Sequence, residues 1–600
     1  MCGIAGLALR KPDPVLRDKF VRLSLNHLAL RGPDAHGHET YRPLPGVEVD
    51  LIHTRLSIID LAGGAQPMAD TKGAIVFNGE IYNFREQRDP AFSYCTTSDT
   101  EVLLQAMGTG GLPALNRMEG MFAFGYLDEA RKRLVIARDE FGIKPVYFYK
   151  DDERFAFAST LPPLMALSKK EINPDSLVEY YTSRGMRSSH TIFKDVVEVA
   201  PGYAFVLDLE TWTLESLKWA EPRRFDPVRG TEAELLDQLE QILDASVKRH
   251  LISDVPVAAL LSGGIDSSLM TAFAARHTNH LAAFTIGFRD KTYDESQHAA
   301  AVAQRYGLRH HVMYCEDDEF IGLIADWPLI MDDAVANPST VLLYALSRFA
   351  REAGYKVLLA GEGADEFFGG YHQQWRFAMA RKLNPAARHF SAIAHGLERF
   401  APHRTRLVHA ARLATGDCTF HGTSMIVEPW LAPELFAVPV GEAPFAKSLS
   451  KALLLDQEYR LPDDMLTAAD RATMHASVEA RVPFVTRSVA NFAAGLEDHH
   501  LINGFSQKVI LKKLARRHIP ASCIDRRKVG FDLPLSRWFR TSLKERLMDS
   551  LASTWQRDYF RPGALDKMVD WHLSGRANIP DKLWAFYLLE HNVRALRAIA

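Results

Sequence analysis

The sequence predicts a multidomain α/β protein: a strand-rich α+β unit, then a doubly wound parallel α/β domain with a helical C-terminal extension. Three observations carry this reading. Up to about residue 210, short β-prone runs are broken by turn residues. Between about 257 and 360, apolar runs alternate with helical stretches, and beyond Gly370 the pattern is mostly helical. A chain of 600 residues, 47% hydrophobic and 24% charged, also fits two or more globular domains better than one large core.

In the first unit, residues 49–52, 74–77, 134–137 and 146–149 read as strands. The polar, Pro-containing stretch 219–227 reads as a connector. Domains are therefore expected over 2–210 and 231–600, with a linker at 211–230. Thr231 and Glu234 then have capping-box spacing, and Leu235, Leu239, Ile242 and Ser246 recur at helical intervals, with Leu236, Leu243 and Val247 beside them. Runs 257–261, 282–288, 311–314 and 357–360 read as strands separated by helices, the alternation of a parallel sheet. No comparable strand is expected after Gly370, and no internal repeat is apparent.

Composition excludes several classes. A net charge of -3 without a basic block argues against a nucleic-acid surface. Cys2, Cys95, Cys315, Cys418 and Cys523 show no short repeated spacing, so neither a zinc site nor a disulfide framework is expected, and a reducing cytoplasm fits. No leader and no apolar run of about 18 residues is seen, so secretion and membrane spanning are not expected.

Three places carry chemistry. Loss of Met1 would leave Cys2 with a thiol and a free α-amine. Their ordinary pKa values, about 8.5 and about 7.7 to 8, let the amine take up the thiol proton near neutral pH. A cysteine at position 2 taken alone is ordinarily an accident, so it needs partners. The first strand of the second unit runs through Leu260 into Ser262-Gly263-Gly264-Ile265-Asp266-Ser267-Ser268, with a helix-like run from Leu269. Glycines allow a tight turn there, helix N-H groups attract an anion, and the Ser262, Ser267 and Ser268 hydroxyls add donors. No lysine ends the loop, so it is not a GxxxxGK[ST] loop. Asp266 suits a Mg2+ carried on phosphates better than phosphate itself. Gly361-Glu362-Gly363-Ala364-Asp365-Glu366 follows another predicted strand and supplies a second carboxylate at a strand carboxyl end, while its missing third glycine argues against a dinucleotide motif.

Together these motifs resemble the glutamine-dependent asparagine synthetases over nearly the whole chain. The resemblance rests on Met1 to Gly6, Arg31-Gly32-Pro33-Asp34, the stretch from His53 to Asp60, Asn78-Gly79-Glu80, Ser98-Asp99-Thr100-Glu101 and Arg138 to Pro145. It continues through the Ser262 loop, Gly361 to Tyr371, Glu479 to Phe484 and Lys508. It implies an N-terminal class II glutamine amidotransferase of Ntn-hydrolase-like sandwich fold and a C-terminal ATP pyrophosphatase-type synthetase.

By the same resemblance, Cys2 would attack the glutamine amide, with Asn78 and the Gly79 N-H as the oxyanion hole. Arg55 would hold the glutamine α-carboxylate, and Glu80 and Asp99 would lie near its α-ammonium. Leu260, Ser262, Gly263, Gly264, Asp266, Ser267, Ser268, Ile286, Gly361 and Glu362 would bind ATP, Asp266 and Asp365 would hold Mg2+, and Lys508 would act in catalysis on the pyrophosphate side. Glutamine, ATP and a carboxylate acceptor, aspartate first, are the implied substrates; a homodimer is left open.

Blander readings stand beside these: Arg55 and Asp99 as a structural ion pair, Lys508 as a solvated helix lysine, and the whole as a glutamine- or nucleotide-sensing protein. The chain also departs from the family pattern. It has Ala468 where a basic residue is usual, Val485-Thr486 in place of Leu-Asp, the segment Asp332-Asp333-Ala334-Val335-Ala336-Asn337, and a short 85–97 loop. These departures bear on the acceptor, which could instead be a sugar acid, a natural-product precursor or a peptide side chain.

Overall fold

The computed structural model describes residues 2–187, 189–221, 226–289, 294–314, 316–387, 420–428, 431–525 and 533–599. Residues 222–225 of the expected connector, together with Cys315 and Cys418, lie outside the described residues.

Twelve strands build the first unit: β1 (Cys2–Leu9), β2 (Ala35–Leu44), β3 (Val47–Arg55), β4 (Met68–Ala69), β5 (Gly73–Ile81), β6 (Gly120–Asp128), β7 (Arg133–Arg138), β8 (Tyr147–Lys150), β9 (Arg154–Ala158), β10 (Val196–Glu198), β11 (Tyr203–Asp208) and β12 (Leu214–Lys218). They form two antiparallel sheets, ordered β10-β8-β9-β1-β3-β2 and β12-β11-β7-β6-β5-β4. Ile4, Val49 and Leu51 of one sheet share a core with Ala74, Val76, Ala123 and Ile136 of the other. The outer faces are covered as well. The helix Pro14–Leu28 packs Phe20 and Leu28 on the first sheet, and the helix Asp99–Gly110 packs Val102, Leu103 and Met107 on the second. The result is a four-layer α/β/β/α sandwich. Both sheets are covered on both faces, which is why β1, β3 and β5 are buried along their whole length.

The second unit opens with the helix Glu232–His250. Its capping box is closed by Thr231 Oγ1 accepting from the Glu234 N-H (3.4 Å) and Glu234 Oε2 accepting from the Thr231 N-H (2.7 Å). Five parallel strands follow, β13 (Val257–Leu260), β14 (Ala282–Gly287), β15 (Arg309–Tyr314), β16 (Val357–Leu359) and β17 (Glu479–Arg481), in the order β15-β14-β13-β16-β17.

Three expectations need correction. Residues 211–230 are not all linker: β12 pairs with β11, so the second sheet runs to Lys218, and its partly exposed Leu-Glu-Ser-Leu-Lys sequence lacks the apolar signature of a core strand. The region after Gly370 does hold a strand. β17 reads Glu-Ala-Arg, and its buried charges neutralise each other, so no apolar run marks it. The helix after the Ser262 loop begins at Ile265 rather than Leu269, which brings Asp266, Ser267 and Ser268 into its first turn.

Candidate active sites

In the first unit the register of β1 on β3 sets Cys2 opposite Arg55. The Cys2 N-H donates to Asn78 Oδ1 on β5 (3.1 Å). This fixes the carboxamide with its Nδ2 inward, buried and without a hydrogen-bond partner. An unpaired buried donor is what an oxyanion hole requires before substrate arrives. Gly79 follows because β5 lies so close to β6 that a Cβ there would sit 2.1 Å from the Met121 carbonyl oxygen.

Burial pushes the Cys2 thiol up, against the lowering influence of the Leu56 N-H and Arg55. His53 on β3 is buried and held neutral, its pKa lowered to about 3 by desolvation. It is therefore uncharged near neutral pH.

Arg55 donates to the carbonyls of Leu61 (3.1 Å), Ile59 (3.3 Å) and Asp60 (2.5 Å). Asp99 heads the 99–110 helix and accepts from the Ile81 N-H (2.9 Å). The two do not pair with each other, so the structural ion-pair reading fails. Burial raises Asp99 to about 6. Glu80, raised further by burial and by Glu479 and Asp99, faces Arg481 of the second unit at 3.6 Å. Arg31, whose motif carries no signal of its own for a task, donates from Nε to the Cys2 carbonyl (3.2 Å).

In the second unit the strand carboxyl ends converge. Gly263 takes the left-handed φ of 69° and lies against the 298–299 backbone, where a Cβ would be 2.6 Å from the Ala299 nitrogen. The Ser262 and Ser267 hydroxyls meet at 3.0 Å, whereas Ser268 is fully buried behind the loop. Leu260, Ile286 and the Gly361-Glu362 pair lie at or just beyond the carboxyl ends of β13, β14 and β16, the edge at which open α/β sheets bind ligands.

Lys508 is not the solvated helix lysine of the bland reading. It is 6% exposed, holds φ 50° at the N-cap of the helix Val509–His518, and places Nζ 2.6 Å from both Asp266 Oδ2 and Asp365 Oδ1. Gly370 makes room for this, since a Cβ there would meet Asp365 Oδ1 at 1.7 Å and Lys508 Cε at 2.1 Å. Asp266 Oδ1 is buried without a partner. Two converging carboxylates with an unbonded oxygen suit Mg2+, which takes one or two protein carboxylates and completes its shell with phosphate oxygens and water. Among the described residues, no group of three or more His, Cys, Asp or Glu could hold a metal.

A buried cysteine bonded to an amide with an unpaired donor in one unit, and a glycine-serine turn beside two acids and a lysine in the other, define a two-site amidotransferase ligase. Residues 1–218 match the glutamine amidotransferase domain, and residues 238–594 match asparagine synthase. The chain belongs to the asparagine synthase family.

It is 28% identical to the glutamine-hydrolyzing asparagine synthetase 1 of Bacillus subtilis, over 99% of this chain and 97% of that protein. It is 31% identical to the glutamine-hydrolyzing asparagine synthetase B of Escherichia coli, over 64% of this chain and 67% of that one. Amidase chry2 of Gibberella zeae is 28% identical over 62% of this chain and 59% of its own length. The chemistry is accordingly glutamine-dependent amidation of asparagine synthetase type, with use of ATP. Among the described residues, no helix is long and apolar enough to cross a membrane.

Proposed function

We propose that the chain activates a carboxylate as an acyl-adenylate and amidates it with glutamine nitrogen, releasing AMP and pyrophosphate, with aspartate as the acceptor. The observation that carries the synthetase half is the convergence of Asp266 and Asp365 on Lys508 beside the Ser262 loop.

The proposed glutaminase occupies 2–210, extended to Lys218 by β12, and the synthetase occupies 231–600. Cys2 attacks the glutamine side-chain amide while its own amine, free after loss of Met1, takes the thiol proton. Asn78 Nδ2 and the Gly79 N-H receive the oxyanion. Arg55 holds the α-carboxylate. Asp99 takes the α-ammonium, with Glu80 behind it. Ammonia then passes between the units through their buried interface and is kept from protonation there.

In the second unit the Ser262–Ser268 turn, Leu260, Ile286, Gly361 and Glu362 bind ATP, and Lys508 supplies positive charge to the departing pyrophosphate. Mg2+, held by Asp266 and Asp365 when it arrives with the triphosphate, would neutralise phosphate charge. A cytoplasmic setting accords with five cysteines that show no short repeated spacing.

A second reading keeps this chemistry and changes the acceptor to a sugar acid, a natural-product precursor or a peptide side chain. It is favoured by position 468, where a buried Ala stands in place of the usual basic residue, and by Asn337, which donates to Asp464 Oδ1 (2.8 Å). Oxygen-18 in the acceptor carboxylate tests the mechanism. Label in AMP is the expected result, and label in phosphate alongside ADP defeats the adenylate. Pyrophosphate release across a carboxylate panel beginning with aspartate decides between the two acceptors.

A further inference from the structure

Where the two units meet, Thr182, Ser183 and Arg187 face Thr423, Ser424 and Arg460 across a narrow cleft. Arg460 belongs to an unusual segment. Asp456–Leu466 is a π-helix built around Pro462, a wide-turned geometry that recurs at functional sites.

The guanidinium of Arg460 is under-used. Nη1 donates to Ser424 Oγ (3.1 Å), Nη2 reaches only the Met465 sulfur (3.9 Å) among the described residues, and the buried Nε has no hydrogen-bond partner. Three carboxylates surround it, yet each is bonded elsewhere. Asp456 accepts from Thr423 and Gln374, Asp464 from Ser424 and Asn337, and Glu366 from the Tyr371 hydroxyl. The nearest of these approaches, Glu366 at 3.7 Å and Asp464 at 3.9 Å, are too long for hydrogen bonds. The Tyr371 ring, 4.1 Å from Cζ, covers one face of the guanidinium. A planar fork with five N-H donors and this little to bind is matched to a carboxylate.

We propose that this cleft is a binding site for a small carboxylate anion, held by Arg460 with Arg187 and the Ser and Thr hydroxyls of its walls. The site reports directly to the synthetase centre, because Arg460 lies beside Glu366, the residue after Asp365, and Gln457 Nε2 donates to the Glu366 carbonyl (3.1 Å). The anion is either the non-reacting carboxylate of the acceptor or a free carboxylate. The first source rests on the proposed aspartate reading.

Calorimetry on the full chain with L-aspartate and with succinate tests the site without requiring turnover. Wild type binds at least one of the two. Arg460→Gln weakens that binding by about tenfold to a hundredfold, the cost of a charged hydrogen-bonding partner, and Arg460→Lys falls between. Ala443→Glu, which sets a carboxylate in the cleft wall without touching the buried cluster, weakens it too and serves if Arg460→Gln fails to fold. Absence of binding of either probe to wild type, or binding unchanged in the variants, overturns the site.

Pyrophosphate release then separates the sources. An acceptor carboxylate predicts that succinate raises the KM for aspartate with kcat unchanged. A separate anion predicts a changed kcat at the same KM. Aspartate that binds without turnover defeats the aspartate reading and leaves the site standing, whereas turnover with unchanged binding in the variants does the reverse.

Discussion

Arg31 reaches across the boundary between the units to form a two-pronged pair with Asp470, Nη1 to Oδ2 at 2.7 Å and Nη2 to Oδ1 at 3.2 Å. Lys144 adds a third contact to the same carboxylate at 3.4 Å, and Arg31 also holds the Cys2 carbonyl. The strand that carries Cys2 is thus tied through one buried acid to the helix Thr467–His475 of the second unit.

Asp470→Asn therefore leaves two buried cations uncompensated and should cost about 3 to 5 kcal/mol, read from the denaturant midpoint. Burial alone would raise this carboxyl, but Arg31 and Lys144 pull it down to about 2. A folded-state pKa below the unfolded value of about 3.9 means that the pair's stabilisation is full above that value. It is lost as pH falls toward 2, and the Asn variant should lack that acid-side dependence.

Cys2→Ala should abolish glutamine-dependent synthesis and leave synthesis from added ammonium. Product assays with each nitrogen source check this, and loss of both activities counts against two sites joined by ammonia transfer.

Asn78→Ala removes the buried, unpaired Nδ2 donor. Glutaminase kcat should fall by about 10² to 10³, the usual cost of one oxyanion donor. A change confined to KM would mean that Asn78 serves binding alone.

Asp99 is proposed to meet the glutamine ammonium as a carboxylate, and burial places its pKa at about 6. Below that pH it is protonated and neutral, so glutaminase kcat/KM should decline as pH drops through about 6. Asp99→Asn should lower kcat/KM and erase that limb, which a pH profile of the two proteins will show.

Asp365→Asn should cut ATP-dependent turnover by about 10² or more while sparing glutaminase activity, because its carboxylate meets Lys508 in the second unit. Pyrophosphate and glutamate release measured on the same preparation give both readouts. An unaffected synthetase removes Asp365 from the metal position.

Local pattern was enough for the chain's regular parts. Capping at Thr231, the four apolar strands of the second unit and the Ser262-Gly263-Gly264 turn are written within a few neighbouring residues, where periodicity and backbone freedom act directly. The motifs around Cys2, Asn78 and Asp365 were legible as residue types in order. β12 and β17 were not, because one is a partly exposed edge strand and the other buries paired charges, and neither carries an apolar signal.

The sequence by itself determined which residues can carry the chemistry and which fold class holds them. Only the tertiary structure decided what those residues do to one another. Lys508 looks like a surface lysine until packing against Gly370 buries it between Asp266 and Asp365, and Arg55 and Asp99 look like an ion pair until each is bonded elsewhere. Arg460 keeps unspent donors because Glu366 accepts from Tyr371 and Asp464 from Ser424 and Asn337. Burial and hydrogen-bond partnership across such separations belong to the packed chain, since desolvation and pairing depend on distances in space that spacing along the sequence does not encode.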